Sequence, residues 1–252
     1  MLAFGTGVAE LVTGLFPQLP FRSLIAEKED SMKKNAFVSV VLCLAVSVSA
    51  AVELSAAEVT PPDDFFGFQL GADRKIARWD KIVDYLDLLA TESGKVMVTD
   101  LGPTTNGNPF LLVVVSSAEN LANIERLREV NNTLFDAQGL DEAEVDALVA
   151  EGKAVVCQSM SLHATEIGGT QMAPELVFDL VTREDEETRR ILDNVVFLLI
   201  PSFNPDGQAM VTDWYNGTLG GEYEGVSLPW LYHPYAGHDN NRDGDFLNLI
   251  ES

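Results

Sequence analysis

Cysteine is almost absent from this chain: of 252 residues only Cys43 and Cys157 carry a thiol. Cys43 lies inside an apolar N-terminal run, so a chain trimmed of that run keeps one thiol and no intramolecular disulfide. Cys157 falls in the stretch AVVCQSMS and reads as a buried structural thiol rather than a nucleophile. Histidine is nearly as scarce, limited to His163, His233 and His238. Basic residues are few, 16 Lys and Arg against 39 Asp and Glu, for a formal charge of −23. Such a surface repels phosphate backbones and anionic lipid, which argues against nucleic acid as a partner. After Arg190 a single basic side chain remains, Arg242. Internal repeats and low-complexity tracts are missing as well. What is present, 46% hydrophobic and 22% charged residues, is ordinary for a chain that buries a core.

The N-terminus carries a pattern of a different kind. Met32, Lys33 and Lys34 make a short positive segment, and the following run AFVSVVLCLAVSVSAAV from Ala36 to Val52 holds no charge. Small residues come next, with Ser55 and Ala57 at the −3 and −1 spacing of signal-peptidase sites, and a cut after Ala50 is the other option. Residues 32–57 therefore read as a secretory signal, for export to the periplasm or out of the cell. An uncleaved anchor is the alternative, although a span needs about 20 apolar residues. Cys43 is a poor lipid-attachment site, because bulky Leu42 precedes it. Since the signal opens at Met32, residues 1–31 read as upstream sequence translated ahead of the true start, or else as an extension.

From Pro61 onward the pattern is globular. Ile76, Trp79, Ile82, Val83, Leu86 and Leu89 recur at helical spacing over 74–91. KVMVTDLG, the turn pair Asn106-Gly107, and PFLLVVVSS predict a strand, a hairpin turn and a second strand. Residues 118–150 predict helix, loop and helix, with Asp141 and Glu144 spaced for a capping box. The apolar runs 110–115, 154–157 and 195–200 read as strands buried on both faces. Helices at 170–183 and 186–193 separate the last two. The expected fold from about residue 65 is α/β, a doubly wound mixed sheet with helices on both faces.

Chemistry concentrates in three short motifs. His163-Ala164-Thr165-Glu166 follows the strand at 154–159, and an i, i+3 pair can bring an imidazole and a carboxylate to one point. By itself this pattern is common. Asn204-Pro205-Asp206-Gly207 follows the strand at 195–200 and reads equally well as a good turn. Gly237-His238-Asp239-Asn240-Asn241-Arg242-Asp243 places the lone late arginine among acids, where it is either a solvated ion pair or a planar fork kept for one carboxylate.

In this order the three resemble the zinc carboxypeptidases of the carboxypeptidase A type, over roughly residues 70–252. The family pattern is His-x-x-Glu, then Asn-Pro-Asp-Gly, then Gly-x-Asp-x-Asn-Arg-Asn; here it reads HATE, NPDG and GHDNNRD. The resemblance implies zinc, one ion held in part by His163 and Glu166. It implies that Asp239 accepts from the other ring nitrogen of His163, and that Asn241 and Arg242 hold the terminal carboxylate of a peptide. The implied reaction is removal of C-terminal amino acids from a peptide or protein by metal-activated water. Two departures accompany it. The family's third ligand, a histidine, and its general base, a glutamate after a tyrosine, have no counterpart here and are expected beyond Ser252. Residues 58–252 are then the N-terminal part of the catalytic domain, incomplete and inactive alone. The family also places an arginine between the last two motifs, whereas 207–241 contain no Lys or Arg.

Other readings stay open at this level. A related zinc deacylase of N-acyl amino acids would use similar ligands, and a catalytically dead binding homologue would keep the fold. Residues 239–244, Asp-x-Asn-x-Asp-Gly, also match the first half of a calcium-binding loop. Ile250 stands where that loop needs its bidentate glutamate, and the preceding prolines leave no entering helix.

Overall fold

The computed structural model describes residues 59–231 and 240–249. The expected signal at 32–57, residues 1–31, and Asp239, His233 and His238 lie outside the described residues. The described elements are α1 (Pro62–Phe66), α2 (Trp79–Glu92), β1 (Val96–Pro103), β2 (Pro109–Val115), α3 (Ala118–Ala122), α4 (Ile124–Phe135) and α5 (Glu142–Glu151). They continue with β3 (Ala154–Ser159), α6 (Ile167–Thr182), α7 (Glu186–Asn194), β4 (Val195–Ile200), α8 (Pro205–Thr218) and a 3-10 turn at Asn240–Asp243.

The four strands form one mixed sheet in the order β1-β2-β4-β3. β1 and β2 are the expected hairpin, turning through Gly107 at φ +85°, a conformation that glycine enters without steric cost. β2 runs antiparallel to β4, and β3 runs parallel to β4 after a crossover through α6 and α7.

Alternation along the strands assigns the two faces. Val96, Val113, Val115 and Leu199 point into the main core, against Ile82 and Leu86 of α2 and Ala173 and Val177 of α6. Val114, Val196 and their neighbour Leu198 point the other way, onto Leu127 and Ile124 of α4. Helices therefore cover both faces, as the doubly wound reading requires. The capping box at α5 is also present: Asp141 accepts from the Glu144 N–H, and the Glu144 carboxylate accepts from the Asp141 N–H.

Two expectations need correction. The helix expected from residue 74 begins at Trp79. Ala77 is claimed by tertiary partners before the helix can start. Its N–H donates to Gln171 Oε1, and its carbonyl accepts from Gln171 Nε2 and Gln208 Nε2, all at 2.7–3.0 Å. Arg78 then stays extended, ion-paired to Asp80 and Asp213. The second correction concerns β3. Its apolar run is not buried: it is the outer strand of the described sheet, all six of its residues are exposed, and so is the Cys157 thiol. An apolar run tells a strand from a loop, but not an inner strand from an outer one.

Candidate functional site

The three motifs meet at the carboxyl ends of the parallel pair β3 and β4. Pairing continues past both strands: Met160 N–H donates to the Ile200 carbonyl at 2.9 Å, and Phe203 N–H donates to the Met160 carbonyl at 2.7 Å. The loops bearing His163 and Asn204 therefore leave the sheet side by side, where ligand sites of open α/β sheets form.

The first loop is a tight turn in which Glu166 N–H donates to the His163 carbonyl at 3.0 Å. His163 is half-buried and Glu166 is exposed at the N-cap of α6. Glu166 makes no side-chain cap bond to its own helix, so its carboxylate is not tied down there. Imidazole and carboxylate are both ordinary zinc donors, and this pair fits that metal by donor chemistry. Among the described residues no group of three or more His, Cys, Asp or Glu comes together as a metal site.

The second motif turns out to be a helix start rather than a free turn. Asn204 is the N-cap of α8, accepting from Gly207 N–H at 2.9 Å, and Pro205 opens the helix where its missing N–H costs nothing. Asp206 is 1% exposed, and its carboxylate accepts from Thr104 Oγ1, Asn106 N–H and Asn108 Nδ2. The acid thus latches the β1–β2 hairpin onto the start of α8. Gly207 has a separate reason to be glycine: a Cβ there would lie 2.5 Å from Ala164 Cβ. That close approach seats the His163 turn directly on α8.

The third motif is anchored to the same place. Asn240 is 2% exposed, and its Nδ2 donates to the Phe203 carbonyl. Asn241 is half-buried, with Oδ1 buried and unpartnered. Arg242 is exposed, and no carboxylate among the described residues pairs with it, so the ion-pair alternative does not hold for them. Asp243 is buried. Its Oδ2 accepts from Asn248 and Leu249 N–H, and its Oδ1 accepts from Asn248 Nδ2. Both oxygens thus close their own loop, which favours a structural role over a calcium ligand.

A cleft of about 540 Å³ adjoins the Glu166 turn, lined by Arg74, Lys75, Ile167, Gly168, Met172 and Tyr215. Sequence reasoning passed over three parts of this region. These are the Asp206 latch, the Gly207 contact, and Ser161, whose hydroxyl bonds across the His163 turn. The Asn-Pro-Asp-Gly motif contains Asp206 and Gly207 but not their partners, and nothing in the sequence marks Ser161.

A search of curated proteins finds no match. Among solved structures the chain is similar to a carboxypeptidase A from Helicoverpa armigera, with 21% identity and a TM-score of 0.35 over 76% of this chain and 34% of that one. It is also similar to a metallo-carboxypeptidase from Burkholderia cenocepacia, with 20% identity and a TM-score of 0.36 over 52% and 28%. A third is bovine thrombin-activatable fibrinolysis inhibitor in complex with tick carboxypeptidase inhibitor, with 13% identity and a TM-score of 0.37 over 56% and 34%. The chain thus spans about a third of the length of these structures. The model of one family, described as zinc carboxypeptidase, matches residues 82–248, a stretch that takes in all three motifs, and the chain belongs to that family.

Proposed function

We propose that the full-length protein is an exported zinc exopeptidase that removes C-terminal amino acids from peptides or proteins, with residues 58–252 as the first part of its catalytic domain. The observation that carries this reading is the convergence of the three motifs on the ends of β3 and β4, through the Ala164–Gly207 contact and the Asn240–Phe203 hydrogen bond. His163 and Glu166 would hold the metal. Zinc bound there supplies Lewis-acid polarisation of a carbonyl and a water of lowered pKa.

The chain's own residues do the rest of the recognition. Arg242 is exposed and has no acid partner among the described residues, so it is available to a substrate carboxylate as a bidentate donor. The Asn241 amide beside it has a buried polar atom still to satisfy. Asp239 would accept from the second ring nitrogen of His163 and hold its tautomer. The cleft beside Ile167 and Gly168 leaves room for the peptide upstream of the scissile bond.

The test is to incubate the full-length protein with matched peptides ending in a free carboxylate or an amide, with and without a chelator. Metal-dependent release of the last residue from the free form alone is expected. Equal attack on both forms, or cleavage within the peptide, would remove the exopeptidase reading. Release from N-acyl amino acids but not from peptides would point to a deacylase instead.

Residues 32–57 are proposed as the export signal, on the strength of Lys33, Lys34 and the uncharged run after them. Among the described residues no helix is long and apolar enough to cross a membrane. N-terminal sequencing of the exported protein should find a start just after Ala50 or Ala57. A mature protein that keeps Met32 would contradict it.

A further inference from the structure

We propose that Asn240 is a positioning residue for Arg242, because its buried carboxamide ties the turn that bears Asn241 and Arg242 to the same residue that pins the His163 loop. The inference rests on the reading of Arg242 as the group that holds a substrate carboxylate.

The family pattern leaves this position open, as the x of Asp-x-Asn-Arg, so the resemblance assigns Asn240 no role. The structure gives it one. Asn240 is 2% exposed, and its Nδ2 donates to the Phe203 carbonyl, 37 residues back along the chain. Phe203 in turn donates its N–H to the Met160 carbonyl at 2.7 Å, at the root of the loop that carries His163. Its ring meets that of Phe110 on β2 edge to face, with centroids 5.9 Å apart. One residue just past β4 thus joins both loops. Its N–H side faces the strand that leads to the proposed metal ligands, and its carbonyl holds the turn with the proposed carboxylate fork.

The bonds described for the rest of the segment act within it. Gly244 N–H donates to the Asn241 carbonyl, Phe246 and Leu247 N–H donate to the Asp243 carbonyl, and the Asp243 carboxylate accepts from Asn248 and Leu249. They fix the shape of the turn, while Asn240 fixes its place. The proposed contact of Asp239 with His163 would be a second tie, and a segment held at one point alone is free to swing about it. Place matters because a bidentate fork is geometrically demanding, and an exopeptidase must keep that fork one residue's length from the metal.

The amide is also a poor choice for stability alone. Its Oδ1 is buried without a hydrogen-bond partner among the described residues, a cost that one neutral hydrogen bond does no more than offset. Leucine, of similar shape, would remove that orphan oxygen and create another, the Phe203 carbonyl. The number of unsatisfied groups stays the same, so what the exchange removes is the tie.

Kinetics of the full-length protein on matched peptides with a free or an amidated C-terminus test this, beside melting temperature and zinc content. Asn240→Leu should raise KM for the free peptide and lower its kcat/KM preference over the amide by about tenfold, as a misplaced binding group does. Its kcat and zinc should be kept, and its melting should stay within a few degrees of the wild type. Asn240→Ala, which cannot overpack the site, should lose the same preference. If both variants keep the wild-type preference while Arg242→Ala loses it, the Asn240 proposal alone falls. Failure of both to fold, or a fall in kcat with the preference intact, would make Asn240 an ordinary structural residue and overturn the proposal too. A preference unchanged in Arg242→Ala would remove the carboxylate reading, and this proposal with it.

Discussion

Replacing His163 by alanine is expected to strip zinc from the full-length protein, while Cys157→Ser leaves the metal content unchanged. Removing a group that merely orients a metal ligand costs about 10- to 100-fold in affinity. Removing a direct donor must cost more, so the loss should exceed about a hundredfold and zinc should not survive dialysis. His163 is half-buried on a turn pinned to β4 through Met160 and to α8 through Ala164, so the alanine variant has little reason to unfold. Its circular dichroism should match that of the wild type. Cys157 is the informative control, because it is the only thiol among the described residues and it is exposed on β3. Metal analysis decides the matter. Equal zinc in the wild type and His163→Ala would exclude the assignment, and zinc lost from Cys157→Ser instead would move the site to the sheet edge.

Arg242→Ala should lower kcat/KM for peptides with a free C-terminus by one to two decades. A well-formed hydrogen bond to a charged group is worth roughly 1.5–3 kcal/mol, and about 1.4 kcal/mol corresponds to one decade. Neighbours along the chain do not compensate, since 207–241 contain no Lys or Arg, and the formal charge of −23 over these 252 residues opposes an incoming carboxylate. Arg242→Lys should recover only part, because an ammonium keeps the charge and loses the fork. The amidated peptide isolates the effect: the wild type should discriminate strongly against it, and Arg242→Ala should not. An unchanged preference for free over amidated peptide in Arg242→Ala would make this arginine a bystander.

Much of this arrangement is legible in the amino-acid sequence, for local reasons. Asn106-Gly107 announces a hairpin because glycine alone enters the required φ freely. Asp141 and Glu144 announce a helix start because the two bonds of a capping box span three residues. The order of HATE, NPDG and GHDNNRD points to the family that the match over 82–248 shows. What escapes a sequence reading is set by partners distant along the chain. The start of α2 depends on Gln171 and Gln208 reaching Ala77, which no periodicity reports. Asn-Pro-Asp-Gly suits a turn as well as an N-cap, and only the hairpin bonded to Asp206 shows what the acid is for. The exposure of β3 is a matter of sheet order, and VVC has the same composition in an inner strand as in an outer one.

The position of β3 also bears on how firmly the His163 turn is held. β1 and β2 pair across a short loop, whereas β3 meets β4 only after the chain has closed a much longer circuit through α6 and α7. In the described sheet β3 has one hydrogen-bonding neighbour and no buried residue, so local opening and amide exchange cost least there. The proposed metal ligands hang from the end of this strand. A ligand that joins His163 to Glu166 would therefore do more than fill a site. By favouring the closed form in proportion to its affinity, it would tighten the most weakly held strand of the sheet, and occupancy would be readable far from the site as slowed exchange along Ala154–Ser159.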